Sequence, residues 1–179
     1  MFGSNGDVVF RQSDGHSNHL FAMTADGTRQ RQVLATPIIE LRGMSADRNW
    51  VLVGVPVDKI QKMDEFAVPI AGGPLRRICP AICGVGWSAD GGRMYVRPLG
   101  VRDTVVIMPV PKGESFPALP PSGVESIADA STVPGSEVVR LNRYGTELSG
   151  AAFAFGLTPD TFAYARTVSH RNLFRVELP

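Results

Sequence analysis

The sequence predicts an all-β fold made of repeated antiparallel sheets of about four short strands each. Three observations predict it. A serine–aspartate corner followed by an apolar strand recurs 43 positions apart. A strand, glycine turn, strand pattern recurs between the corners. The 19 Gly and 14 Pro suit many short strands joined by tight turns better than they suit helices.

The corners come first. One copy reads Met44-Ser45-Ala46-Asp47-Arg48-Asn49-Trp50-Val51-Leu52-Val53, and a second reads Trp87-Ser88-Ala89-Asp90-Gly91-Gly92-Arg93-Met94-Tyr95-Val96. A shorter third reads Leu157-Thr158-Pro159-Asp160-Thr161-Phe162-Ala163-Tyr164. Ser and Asp side chains hydrogen-bond the backbone of a turn, and Gly accepts a positive φ. Ser45, Asp47, Ser88, Asp90, Gly91 and Asp160 are therefore read as repeat-turn residues, and Asp26 as a further turn acid. The spacing falls in the ~40–45 residue period of four-stranded β-propeller blades.

The hairpins follow. Leu20-Phe21-Ala22-Met23 runs into Asp26-Gly27, Glu65-Phe66-Ala67-Val68-Pro69 into Gly72-Gly73, and Val105-Val106-Ile107-Met108-Pro109 into Lys112-Gly113. Short mixed segments come after each turn, at 29–34, 75–78 and 114–119. The chain (1–179) thus divides into a blade over 7–34 that lacks its first strand, full blades over 38–79 and 82–119, and a last blade over 150–178 that lacks its fourth. Residues 120–149 read as an irregular insertion, with a short helical turn around 124–131. A propeller must close, because unpaired end strands expose their edges. The expectation is three to four blades forming part of a larger propeller, with missing upstream blades or self-association through open edges. A small closed ring of about four blades is the rival reading.

Composition narrows the function classes. With 44% hydrophobic and 20% charged residues the chain builds a core. A net charge of +1 gives no clustered positive field for nucleic acid or an anionic membrane. The apolar runs 51–57 and 151–157 fall far short of the ~20 residues a membrane span needs, so no membrane insertion by this segment is expected. Residues 1–7 show neither the basic start nor the apolar stretch of a signal peptide, which leaves the compartment open.

The corners resemble the TolB-type and WD-type β-propeller repeat, whose first strand ends in an S-P-D-G turn. Here only the third copy keeps the proline, Pro159, and only the second keeps the glycine, Gly91. The ending over 162–179, with 37–56 and 79–88, is similar to the C-terminal propeller of a bacterial group common in acidobacteria. That group is often fused behind a eukaryotic-like serine/threonine kinase domain. The likeness covers most of the chain and is weakest at 120–149. It implies a C-terminal propeller, of six blades in the TolB type, and implies no particular ligand.

No catalytic motif is present. A kinase needs a glycine-rich phosphate loop, a catalytic-loop Asp and a magnesium-binding Asp, and the chain has none of these motifs. No G-x-S-x-G elbow exists; Ser149-Gly150 is not one. No cofactor, metal or catalytic residue is assigned. Cys79-Pro80-Ala81-Ile82-Cys83 sits at a blade-to-blade crossover and leaves three readings open: a disulfide, two buried thiols, or metal ligands. His16 and His19 have ligand-like spacing in a turn-rich loop, and His170 lies in a similar loop beside Ser169. Arg93, Arg97 and Arg102 cluster around one hairpin, read as a solvated loop or an anion contact. Trp50 reads as a blade-packing aromatic and Trp87 as a candidate for a channel-facing surface.

The expected function is a non-catalytic propeller for protein interaction or ligand sensing, within a larger bacterial protein such as a serine/threonine kinase. Two alternatives stand beside it. One is a propeller of a prolyl-oligopeptidase-type hydrolase, against which the chain ends at Pro179 without running on into a hydrolase. The other is a TolB-like periplasmic partner-binding propeller. A disulfide at Cys79 and Cys83 would favour an extracytoplasmic site, and free thiols the cytoplasm.

Overall fold

The computed structural model describes residues 1–57, 62–81, 83–98, 104–140, 153–155 and 161–164. Asp160, Arg102, His170 and Ser149-Gly150 lie outside the described residues, as does most of 150–178. The first sheet holds β1 (Val8–Ser13), β2 (Asn18–Met23) and β3 (Arg31–Ile38) in that order. The second holds β4 (Glu40–Met44), β5 (Trp50–Pro56), β6 (Met63–Pro69) and β7 (Arg76–Cys79) in sequence order. The third holds β8 (Gly84–Trp87), β9 (Arg93–Arg97) and β10 (Thr104–Pro109), then, after the helix α1 (Ile127–Ser131), β11 (Glu137–Arg140). β12 (Phe153–Phe155) pairs with β13 (Phe162–Tyr164). Every pairing is antiparallel, so the fold is all-β.

The sheets stack face to face, and β5 shows why its run is continuously apolar. Val51, Val53 and Val55 face the first sheet and share a core with Val9, Leu20, Ala22 and Ile38. Leu52 faces the other way, into a core with Ala67, Met94, Val96, Val106 and Met108. The second sheet is thus covered on both faces, which removes the polar alternation of a half-exposed strand. Each such side chain contributes ~1.5–3 kcal/mol by leaving water. A smaller cluster of Tyr95, Val105 and Ile107 lies on the far face of the third sheet, with Val139 against it.

The corners share one bonding scheme. Ser45 N–H donates to Trp50 O at 3.0 Å, and Trp50 N–H donates to Ser45 Oγ at 3.1 Å. Ser45 Oγ donates to Asp47 Oδ1 at 2.5 Å, and Asn49 N–H donates to the same oxygen at 3.1 Å. Ser88 repeats this with Arg93 O and N–H, each at 3.0 Å, and Asp90 takes Ser88 Oγ at 2.6 Å and Gly92 N–H at 3.0 Å. Arg48, at φ 58°, occupies the place that Gly91 fills at φ 71°. A side chain in this left-handed region costs ~1–2 kcal/mol. Arg48→Gly is therefore expected to raise stability by about 0.5–1 kcal/mol after the entropy of the freer unfolded chain is offset. Gly91→Ala is expected to lower it, and thermal denaturation of both variants checks the pair.

A further corner, without the serine–aspartate signature, precedes β1. Gly6 N–H donates to Gly3 O at 3.0 Å and Asp7 N–H to Asn5 Oδ1 at 3.0 Å, the same turn 42 positions before Ser45. Ahead of it, Phe2 bridges Val8, and Val9 N–H donates to Met1 O at 2.7 Å. The first sheet, expected to lack a leading strand, carries two residues in that lane.

The expected boundaries need one correction. The fourth strand of the third sheet is β11, not 114–119, and 120–149 is not wholly irregular. Pro111, Pro117, Pro120 and Pro121 cannot donate to a ladder, while Val138 and Val139 suit one. The intervening segment instead packs Phe116, Val124, Ala130 and Val133 into the core shared by the second and third sheets. Ser126 starts α1 in a capping box with Asp129: Ser126 Oγ accepts Asp129 N–H at 3.2 Å, and Asp129 Oδ2 accepts Ser126 N–H at 2.9 Å.

Candidate functional site

The leading strands β4 and β8 border an open cleft of about 720 Å3. Arg42, Gly43 and Met44 line one side, Gly84, Gly86 and Trp87 the other, with Glu65 and Arg97 also on its wall. β8 reads Gly84-Val85-Gly86-Trp87 and pairs only with β9 among the described residues. Of its two glycines, Gly84 is the one where Arg97 packs close to the backbone. Arg97 lies over Gly84, where a Cβ would stand 3.4 Å from the arginine Cβ.

Glu65 is the most unusual group of this cleft. It sits on β6 two positions before the core residue Ala67 and is 1% exposed. Burial pushes its carboxyl up to about 7, against the pull of Arg42 and of the Cys83 N–H, while the charge of Glu40 adds to the rise. Arg42 Nε stands 3.2 Å from Glu65 Oε1, Cys83 N–H donates to Oε2 at 3.4 Å, and Arg42 Nη1 reaches Glu40 at 2.5 Å. Glu65 thereby ties β6 to β4 and to the start of the third sheet.

The neighbouring Asp64 holds the connection that leads into β8. It accepts Ala81 N–H at 3.0 Å and pairs with Arg77. Ala81 takes φ 95° inside a loop closed by a disulfide between Cys79 and Cys83, whose Cα atoms are 6.2 Å apart. Of the three readings of this cysteine pair, the structure holds the disulfide, and both cysteines are 2% exposed.

Trp87 lines the cleft and also anchors the core. Its Nε1–H donates to Ser115 O at 3.1 Å, and its ring meets Phe116 edge-on at 5.7 Å. Trp50 meets the same Phe116 at 5.3 Å. The corners border a separate depression of about 580 Å3 facing residues 111–115. There Ser115 Oγ donates to Asp47 Oδ2 at 2.6 Å. Burial raises the Asp47 carboxyl, but hydrogen bonds from Ser115, Ser45 and Asn49 outweigh it and hold the group below its usual range. The Ser88 hydroxyl and Gly92 N–H do the same for Asp90. His19 stands 3.2 Å from Asp14 and 3.3 Å from Gln32. Among the described residues no group of three His, Cys, Asp or Glu is placed to hold a metal ion, and no helix is long and apolar enough to cross a membrane.

Arg42, Glu65 and Phe116, which no sequence motif marks, stand beside Trp87 and the corners in this region. The signal for Glu65 was an acid two positions from Ala67, on the same face of a strand. Phe116 was visible only as a lone aromatic in a proline-rich stretch.

No family profile matches the sequence, and no curated protein is significantly similar to it. Among solved structures, the chain is similar to TolB from Acinetobacter baumannii, at 17% identity and a TM-score of 0.46. The likeness covers 63% of this chain and 29% of that one, so the chain spans less than a third of that protein's length.

Proposed function

We propose that this chain is a non-catalytic β-propeller module that binds an extended segment of a partner protein. The carrying observation is the cleft along β4 and β8, where two leading strands meet a buried acid, two arginines and a tryptophan. In a propeller these strands are the innermost of their blades. Rigid sheets displaying a groove and loops are a usual scaffold for binding. The likeness of the ending to kinase-fused bacterial propellers supports a place in a larger protein, as the sensing part of a serine/threonine kinase. The buried Cys79–Cys83 disulfide supports an oxidising compartment for this part. The same disulfide favours a second reading, a periplasmic partner-binding propeller of the TolB type.

Peptide-display selection against the folded chain tests the binding reading. Selected peptides are expected to shift the Trp87 emission of a Trp50→Phe variant, and to be recovered intact by mass spectrometry. Arg42→Ala and Gly86→Val are each expected to weaken them at least tenfold. Peptides indifferent to both changes would move the site elsewhere, and cleaved peptides would make the chain an enzyme.

A further inference from the structure

One row of the second sheet runs Glu40, Gly54, Glu65, Cys79, each residue opposite the next on β4, β5, β6 and β7. Gly54 puts no side chain between the two acids, and Arg42 spans them, with Nη1 2.5 Å from Glu40 and Nε 3.2 Å from Glu65. The row ends at the disulfide. Cys79 stands opposite Glu65, and Cys83, bonded to Cys79, gives its N–H to Glu65 Oε2 at 3.4 Å. Both half-cystines of one short loop thus adjoin the acid of the cleft.

Three ties hold that loop. The disulfide joins its ends across a sequence separation of four. Ala81 N–H donates to Asp64 Oδ1 at 3.0 Å, and Asp64, 3% exposed, pairs with Arg77. The third tie is the Cys83 N–H on Glu65. Ala81 meanwhile takes φ 95°, a conformation that a residue with a side chain rarely adopts. Without the covalent tie, two hydrogen bonds would have to hold this unfavourable backbone alone.

We propose that the Cys79–Cys83 disulfide sets the charge of the cleft: opening it releases the loop, withdraws the Cys83 N–H from Glu65 and leaves Arg42 beside an uncharged acid. The step is a two-electron reduction by a dithiol. One thiolate of the dithiol attacks a cysteine sulfur and expels the other, which takes up a proton. The second thiol then closes the dithiol's own disulfide and releases the remaining cysteine as a thiol. Both cysteines are 2% exposed, so the reductant reaches them as the loop opens locally. The charged groups facing Glu65 among the described residues are Arg42 and Glu40 of β4, with Arg97 of β9 on the same cleft wall. In the oxidised chain burial raises the Glu65 carboxyl to about 7, and Arg42 and then the Cys83 N–H oppose the rise. Losing that donor raises the carboxyl further. Near neutral pH the reduced cleft therefore carries more positive charge than the oxidised one. This coupling is a property of the chain's own groups and does not rest on peptide binding.

Carboxyl carbon-13 NMR of the full chain, labelled at glutamate, tests this. The Glu65 resonance is the one missing from Glu65→Gln. Its midpoint is expected at about 7 in the oxidised protein. After reduction with excess dithiothreitol under nitrogen it is expected to be higher by about half a unit or more. Cys79→Ala/Cys83→Ala, which needs no reductant, is expected to show the same upward shift and unchanged far-UV circular dichroism. If the reduced chain unfolds, the alanine variant decides. A midpoint that does not move in folded reduced or variant protein overturns the proposal. So does loss of the fold in both, which would make the disulfide a tie of the whole core rather than a control on one acid.

Discussion

Replacing Phe116 with alanine is expected to destabilise the protein by about 3–5 kcal/mol, the range for truncating a buried aromatic. The residue lies in an otherwise irregular stretch, but it is 3% exposed. Trp50 from the second sheet meets its ring edge-on at 5.3 Å and Trp87 from the third at 5.7 Å. The Arg76 guanidinium stands 5.1 Å from the ring centre, and Arg76 Nη2 donates to Pro117 O at 2.8 Å. Alanine would leave a cavity bordered by parts of two sheets, and partial collapse would not fill it. Since both tryptophans touch this ring, the same variant is expected to shift tryptophan emission to longer wavelength in the folded state. Denaturant titration followed by fluorescence reads both effects at once. Phe116→Leu should lose much less. A loss below about 1 kcal/mol for the alanine variant would mean that the 111–136 segment merely lies on the sheets.

The parts of this molecule that were legible in the sequence are those whose cause is local. The corners follow from Ser and Asp side chains that bond backbone within five residues, so a 43-residue recurrence exposes them. The apolar strands follow from burial on one or both faces. The fourth strand of the third sheet was not legible, because β11 joins β10 across an intervening segment that includes a helix. Nothing in Glu137-Val138-Val139-Arg140 alone says which strand it will meet. The corner at Gly3–Gly6 lacks the serine and aspartate signature and uses Asn5 instead, so only its bonding reveals it. Glu65 stands in an apolar strand with no motif around it to mark it. Its importance comes from β4 and from the cysteine loop, which the sequence places over twenty and nearly twenty residues away respectively.

Stability is expected to fall as pH rises from about 4.5 to about 7, and Glu65→Gln is expected to remove that fall. The Glu65 carboxyl has an ordinary value of 4.5 and is raised by burial to about 7 in the folded chain. Between those values the folded state holds a proton that the unfolded state has released. Raising the pH therefore favours unfolding, and the contribution is full below the unfolded value and gone above the folded one. At 1.36 kcal/mol per unit, the shift sets a ceiling of ~3 kcal/mol. The corner aspartates act in the opposite sense. Asp26, held at about 2 by the Thr24 hydroxyl and Thr28 N–H, and Asp90 both contribute stability that is lost only as pH falls below the ordinary aspartate range. Wild-type stability should thus decline on both sides of pH ~4–5, by two different sets of groups. Glu65→Gln keeps an acceptor for the Cys83 N–H and Arg42 but has no proton to lose, so only the acid limb should remain. Urea titrations from pH 4 to 8 measure this directly. A wild-type profile flat between 4.5 and 7 would show that Arg42 keeps the buried carboxylate charged throughout, whereas a variant that keeps the slope would assign the slope to other groups.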